Sequence, residues 1–256
     1  MQTILITGAS RGIGLATARI FTAQGARVIG AARTITPELA ATGAHTVAAD
    51  LTTADGLSRL IKEAGDVDVL VNNVGGGDGH VVRGFLDTDD ADWQSFFDLN
   101  FFTAVRVTRA LLPGLMAGRA RNSTGQCIVN VSSIGARVPA AGPVAYNTAK
   151  AALTALGKAL AEEFGPAGVR VVTVSPGPVR TAVWEAPGGL GAQLAAAAGA
   201  EHAEFLAQVP AAMGMTTGRF TEPDEVAELI AFLASARAAS ITGADFLIDG
   251  GLVKNA

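Results

Sequence analysis

Seven short β-branched runs alternate along this chain with stretches of helical spacing, and that rhythm limits the fold more than any other feature of the sequence. The runs are residues 3–7, 27–31, 45–48, 67–71, 126–131, 169–174 and 244–248. Between them, apolar residues recur at helical intervals over 13–24, 55–62, 89–116, 144–164 and 222–233. Strands that alternate with helices must be joined by crossovers, which makes neighbouring strands parallel and buries the sheet on both faces. The expected fold is therefore α/β, a doubly wound Rossmann-type sheet of seven parallel strands covered by helices on both sides.

Composition agrees with one packed body. With 256 residues, of which 49 % are hydrophobic and 16 % charged, the chain can bury one large core, and a single domain over 1–256 is expected. The last helix carries readable start signals, with Thr221 able to cap, Asp224 three residues on and Pro223 in the first turn. The segment 182–218 is too long for an ordinary connection, which runs to about 4–6 residues, and it follows the end of a strand. It reads as a substrate lid; an inert insertion with a helix of its own around 193–208 is the plainer alternative.

Net charge of −4 offers no field for nucleic acid. Cys127 is the only cysteine, so no intrachain disulfide forms and a reducing compartment is expected. The N-terminus does not resemble a signal peptide, and charged or amide residues interrupt every apolar run before the roughly 20 residues a bilayer requires. A cytoplasmic protein that uses no membrane is the expectation. His45, His80 and His202 are far apart, and Asp87, Asp89, Asp90 and Asp92 sit at a helix start, where carboxylates answer the helix dipole, so no metal site is expected.

Chemistry begins directly after the first strand, at Thr7-Gly8-Ala9-Ser10-Arg11-Gly12-Ile13-Gly14. Three glycines there let the backbone bend sharply and approach a pyrophosphate, while the following helix N-terminus offers N–H groups and partial positive charge. About 20 residues further on, a carboxylate would hold an adenosine ribose and repel a 2′-phosphate, but this chain has Ala32-Arg33-Thr34. Arg33 can pair bidentately with that phosphate. NADP(H) is therefore expected in preference to NAD(H).

Tyr146 and Lys150 lie four apart on an expected helix and share one face. Tyr146 is the only tyrosine, and Ser133 stands 13 residues earlier, just past a strand end that should point into the ligand crevice. Ser132 beside it competes for the same role. Asn100 is polar within an apolar helical stretch, so its amide must be satisfied locally or serve a site.

With Asn72-Asn73-Val74-Gly75, Pro176-Gly177-Pro178-Val179-Arg180-Thr181 and Asp249-Gly250-Gly251 added in the same order and approximate spacing, the whole chain resembles the short-chain dehydrogenase/reductase family. The resemblance implies hydride transfer between nicotinamide and a carbonyl or alcohol. It implies Tyr146 as general acid or base, Lys150 together with the positive nicotinamide ring lowering the phenol's pKa, and Ser133, chosen over Ser132 by spacing, steadying the substrate oxygen. Asn100 would anchor a relay water beside Lys150.

Cofactor contacts are implied at Gly8, Ser10, Arg11, Gly12, Ile13 and Gly14, at Arg33, at Asp50 and Leu51 by the adenine, and at Asn73, Val74 and Gly75. Tyr146, Lys150, Pro176, Gly177, Val179 and Thr181 complete the nicotinamide end. Val74 departs from the usual Ala, and the run Gly75-Gly76-Gly77-Asp78-Gly79 is unusual. A homotetramer or homodimer is implied, with 89–116 and 144–164 between subunits. The apolar residues Leu190, Leu194, Phe205, Leu206, Val209, Met213 and Met215 in the lid suggest a hydrophobic substrate. A dinucleotide sensor without turnover is the rival reading, though it would not need the complete catalytic group. A non-redox lyase ranks lower, since such relatives lose the glycine cradle and the lysine.

Overall fold

The structure, a computed structural model, describes residues 1–77, 84–118, 125–139 and 142–254. Asp78, Gly79 and His80 of the sequence reading lie outside the described residues. The strands are β1 (Thr3–Thr7), β2 (Arg27–Ala32), β3 (His45–Ala48), β4 (Val69–Asn72), β5 (Gln126–Val131), β6 (Val169–Pro176) and β7 (Asp245–Ile248). Among the described residues they form one seven-stranded sheet in the order β3-β2-β1-β4-β5-β6-β7, with every pairing parallel.

Alternation along the strands divides the core into two layers. Ile4 and Ile6, Val69 and Val71, and Cys127 and Val129 point to the side of α1 (Gly12–Ala23) and α10 (Pro223–Ala234), where Leu15, Phe21, Val226 and Ile230 meet them. Leu5, Leu70 and Ile128 point the other way, against Leu60 of α3 (Ala54–Ala64), Leu111 and Leu115 of α5 (Thr103–Gly118) and Ala161 of α6 (Val144–Phe164). A short helix, α2 (Pro37–Ala40), follows β2; the strand-helix spacing gave no sign of it.

Two expectations are corrected. The long helix expected over 89–116 is divided into α4 (Asp90–Phe97) and α5 by a wider π-type turn at Asp98–Phe102, which contains Asn100. The α4 start is closed by a capping box between Asp89 and Asp92. At the last helix, Thr221 is not the cap: Glu222 takes that place, exchanging bonds with Glu225, while Thr221 pairs with Val179. The Glu222 backbone N–H donates to the Glu225 carboxylate (2.8 Å), and Thr221 is drawn into the turn after β6 instead.

The segment after β6 is helical throughout much of its length, with α7 (Ala182–Glu185), α8 (Leu190–Ala197) and α9 (His202–Ala212). Where one helix around 193–208 was the alternative, two are found, broken near Gly199 at φ +65° and restarted by the Glu201 carboxylate, which accepts from Ala203 and Glu204. Leu70 is fully buried on the central strand β4. Leu70→Ala should lower unfolding free energy in urea by about 2–5 kcal/mol, and a loss under about 1 kcal/mol would contradict its place at the centre of the core.

Candidate active site

The parallel strands all deliver their carboxyl ends to one edge, and the candidate residues collect there. Thr7, the last residue of β1, organises the first part. Its hydroxyl donates to Val71 O (3.3 Å) and accepts from the backbone amides of Asn73 (3.0 Å) and Val74 (3.2 Å). Asn73 answers with its side-chain amide, donating to Thr7 O (3.0 Å) and Gly8 O (3.1 Å). The glycine turn and the loop after β4 are thus one hydrogen-bonded unit, and Thr7 is a site-organising residue that the sequence reading did not single out.

Within that unit the glycines are required by space. Gly8 turns at φ +67° and Gly12 at φ +54°. A Cβ on Gly14 would meet the Asn73 amide at 2.6 Å, and one on Gly12 would meet the Thr181 methyl at 3.2 Å. The last contact brings the segment after β6 against the glycine turn, far away in sequence. Helix α1 starts with Arg11 extended and offering no side-chain cap, and no acidic residue stands in its first turn. Its leading N–H groups are therefore free to meet an anion. A cradle with this backbone curvature and these uncapped donors fits a pyrophosphate.

The part of this edge beside β2 and β3 is polar and exposed. Arg11 and Arg33 both reach solvent. Asp50, after β3, has its carboxyl held below the usual range by hydrogen bonds from the Thr52 hydroxyl (2.7 Å) and amide (3.0 Å), with the nearby Arg33 charge adding to the effect. Leu51 is buried in the core layer, and Ser10 is fixed by a bond from the Thr36 hydroxyl to its carbonyl (2.9 Å).

At the other end, Lys150 and Asn100 converge on Gly75. A Cβ there would lie 2.7 Å from Lys150 Nζ and 2.9 Å from Asn100 Oδ1, so only glycine leaves both in place. Asn100, fully buried in the π-type turn, grips the next residue: Oδ1 accepts from Gly76 N (2.9 Å) and Nδ2 donates to Gly76 O (3.0 Å) and Phe96 O (3.0 Å). One lone pair of Oδ1 is the amide's remaining capacity, so its first task is to hold the glycine loop. The neighbouring Gly76, at φ +141°, has open space where a side chain would be, and so has Gly77 except for Phe96 at 3.9 Å.

Lys150 Nζ donates to Val131 O (2.9 Å) and lies 5.8 Å from the Tyr146 ring centre. Ser132 is removed from the catalytic question: its hydroxyl is buried, donating to Lys150 O (3.0 Å) and paired with Thr154 Oγ1 (2.7 Å). Ser133 is half-buried, accepts from Gly135 N (3.1 Å), and its hydroxyl lies close enough to the Tyr146 phenol to favour the ionised form. Asn147, beside the tyrosine, pins the loop between serine and tyrosine through Pro139 O (2.5 Å) and Gly142 O (3.1 Å), another role absent from the sequence reading.

Burial pushes the Tyr146 phenol above its ordinary value, with the Ser133 hydroxyl acting in the opposite direction, and Lys150 does not bring it below that value in the protein alone. Burial also pulls the Lys150 ammonium down to about 8, so its charge is itself weakened. Pro176 ends β6, Gly177 donates to Ile248 O (3.0 Å), Val179 is buried beside Thr221, and Thr181 begins α7.

The wall beyond Thr181 is apolar. Trp184 packs edge-on to Phe220 (5.3 Å) and, with Leu194, Phe205, Val209, Ala212 and Met213, lines a groove of about 190 Å³ whose one amide is Gln208. Of the apolar residues expected there, Leu190, Leu206 and Met215 do not line the groove, and Met215 packs in the interior.

The model of the family described as "Enoyl-(Acyl carrier protein) reductase" matches residues 8–253. This chain belongs to the short-chain dehydrogenase/reductase family. It is 34 % identical to an uncharacterized oxidoreductase of Bacillus subtilis, over 99 % of this chain and 97 % of the relative. It is also 34 % identical to a 3-oxoacyl-acyl-carrier-protein reductase of Vibrio cholerae, over 98 % and 97 %. Among solved structures, L-sorbose reductase from Gluconobacter frateurii, complexed with NADPH and L-sorbose, superposes with a TM-score of 0.88 at 31 % identity, covering 100 % of this chain and 97 % of that one. A point variant of actinorhodin polyketide ketoreductase with NADPH gives 0.84 at 28 %, covering 98 % and 97 %.

Between pH 8 and lysine's ordinary 10.5, the unfolded chain holds a proton that folded Lys150 has released, so this group's contribution to stability rises with pH across that window. Its burial penalty is fully present below pH 8. Lys150→Met should therefore stabilise the fold at pH 7 by about 1–3 kcal/mol, with the gain fading toward pH 10.5. Thermal unfolding across pH checks this, and a gain that grows with pH would contradict it.

Proposed function

We propose that this protein is an NADP(H)-dependent oxidoreductase that interconverts a ketone or aldehyde and the corresponding alcohol. The observation that carries the reading is the convergence of Lys150 and Asn100 on Gly75, with Tyr146 and Ser133 alongside, at the same sheet edge as the uncapped glycine cradle. The NADPH complexes of L-sorbose reductase and of the polyketide ketoreductase lend support through their similarity to this chain.

The nicotinamide, when bound, supplies or accepts the hydride. The chain's own residues do the rest. The turn at Gly8, Ser10, Arg11, Gly12, Ile13 and Gly14 holds the pyrophosphate on the α1 amides, and Asn73, Val74 and Gly75 form the floor beside it. Arg33 and Arg11 would hold the 2′-phosphate, while Asp50 and Leu51 would border the adenine. Pro176, Gly177, Val179 and Thr181 would orient the ring, Val179 through its backbone and Thr181 through its hydroxyl.

In the reduction direction Tyr146 donates the proton to the carbonyl oxygen, and Ser133 donates a hydrogen bond to the same oxygen as negative charge develops. Lys150 and the positive charge of the oxidised ring together offset the burial that raises the phenol's pKa. The lid 182–218 covers the site, and its apolar groove suits a hydrophobic substrate. Oxidation runs through the same groups in reverse.

We also infer a homodimer or homotetramer, working in the cytoplasm. A ladder of rings runs along α4 and the π-type turn: Phe85 to Trp93 (6.3 Å), Trp93 to Phe97 (6.3 Å), Phe97 to Phe101 (6.1 Å) and Phe101 to Phe102 (5.2 Å). Phe85 is 66 % exposed and Leu86 94 % exposed at its end. An apolar patch of this kind is expected to be covered by a partner, here a second copy.

Two outcomes follow. Across a panel of ketones, aldehydes and quinones, NADPH oxidation should occur and fall by about 10²–10⁴-fold in Tyr146→Phe, while Arg33→Ala should weaken NADPH use roughly tenfold and leave NADH use unchanged. Full turnover in Tyr146→Phe would contradict the mechanism. In light scattering at micromolar concentration the mass should be a multiple of 25.9 kDa and should fall to one copy in Phe97→Glu; a wild-type monomer would contradict the assembly.

A further inference from the structure

Ser133 leaves β5 with extended backbone and opens a tight turn, in which Ala136 N bonds Ser133 O (3.0 Å) and the amides of Arg137 and Val138 both bond Ile134 O (2.8 Å each). The turn closes on Arg137, whose side chain leaves it and crosses the sheet. Its Nε (3.1 Å) and Nη2 (3.0 Å) both donate to Asp245 Oδ2 on β7. The other carboxylate oxygen, Oδ1, accepts from the Ser175 hydroxyl (2.7 Å) on β6, a residue with no exposed surface. The link therefore runs from the end of β5 over β6 to the edge strand, a span of two strand spacings or roughly 9–10 Å.

The chemistry of the link favours position over stability. Asp245 is nearly buried, with 10 % of its side chain exposed, and both of its oxygens are engaged; Arg137 is 39 % exposed. A partly solvated ion pair adds little to folding, but a planar guanidinium with two donors converging on one carboxylate oxygen, the other oxygen being held by Ser175, restrains where the Arg137 side chain can lie. What they fix is the C-terminal end of the turn whose first residue is Ser133. From the other side, Asn147 holds Pro139 O and Gly142 O next to Tyr146. The loop between the two hydroxyls is thus tethered at both ends.

We infer that the Arg137–Asp245–Ser175 link is a positioning device that sets the Ser133 hydroxyl against Tyr146. The inference rests on the reading of those two hydroxyls as the catalytic pair, and neither Arg137 nor Asp245 touches the reacting atoms. A displacement of about 1 Å at a positioning group can cost 10²-fold in rate, so a strap that restrains this turn acts on kcat and leaves the distant cradle unaffected.

Tyr146 is the chain's only tyrosine, so a protein grown with Cζ-labelled ¹³C-tyrosine gives one resonance that reports on the approach of the Ser133 hydroxyl to the phenol without any turnover. Ser133→Ala should move that resonance. Arg137→Ala should move it the same way, Arg137→Lys should restore part of the wild-type position, and Arg137→Ala with Ser133→Ala should move it no further than Ser133→Ala alone.

In parallel, kcat with a reducible carbonyl should fall about 10- to 100-fold in Arg137→Ala, with NADPH affinity and melting temperature near wild type. Should that variant fold poorly, Asp245→Asn, which keeps the shape and the Ser175 partner, is expected to show the same direction. A wild-type resonance in Arg137→Ala, or a shift that adds to that of Ser133→Ala, overturns the inference. Absence of any carbonyl turnover in the wild type would instead count against the proposed reaction, since the resonance is read without it.

Discussion

Everything at the catalytic edge depends on one close approach: the backbone at Gly75 lies where any side chain would strike Lys150 Nζ and Asn100 Oδ1. The approach is possible because three elements are fixed independently. Thr7 ties the loop after β4 to the end of β1, the π-type turn presents Asn100 to Gly76, and α6 carries Lys150 and Tyr146 on one face. Removing any of these would let the loop relax, and the lysine would no longer face the cradle. A buried lysine is also costly, because its charge is taken from water with the backbone carbonyl of Val131 as its hydrogen-bond acceptor. That cost is tolerated where a negative or polar group is to be met.

The same edge separates tasks that one residue could not combine. Ser132 and Ser133 are chemically identical neighbours, yet alternation at the strand end turns Ser132 inward to Thr154 and the Lys150 carbonyl and leaves Ser133 toward the phenol. Asn72 and Asn73 divide likewise. Asn72 points into the core to Thr108 and Asn130, and Asn73 crosses to the glycine turn. Period-two geometry therefore decides which member of each pair supports the sheet and which supports the site.

Much of this was legible in the sequence, for physical reasons. β-branched runs announce strands because parallel strands are buried on both faces, and their ends fall close to where that pattern places them. The tyrosine-lysine spacing and the glycine turn are local patterns, and Gly8, Gly12, Gly14, Ser133, Tyr146 and Lys150 do gather at one edge. Longer-range features left weaker traces. The break at 98–102 keeps its apolar content, so helical spacing runs through it, and only the polar Asn100 hinted at a change. The Glu222 cap was hidden beside Thr221, a better capping type by preference. The Arg137–Asp245 bond joins residues 108 positions apart, which no local pattern can reveal. Burial of the Tyr146 phenol, a property of the packed protein, left no trace in the sequence.

The central claim is that this edge transfers hydride between nicotinamide and a carbonyl carbon. It is tested most directly by supplying NADPH deuterated at the transferring C4 position with a carbonyl compound in ordinary water and weighing the alcohol formed. The account predicts one deuterium, bound to the carbinol carbon, with the hydroxyl proton drawn from solvent. An alcohol free of deuterium at that carbon, or NADPH that binds and keeps its label in the presence of every carbonyl offered, would contradict it.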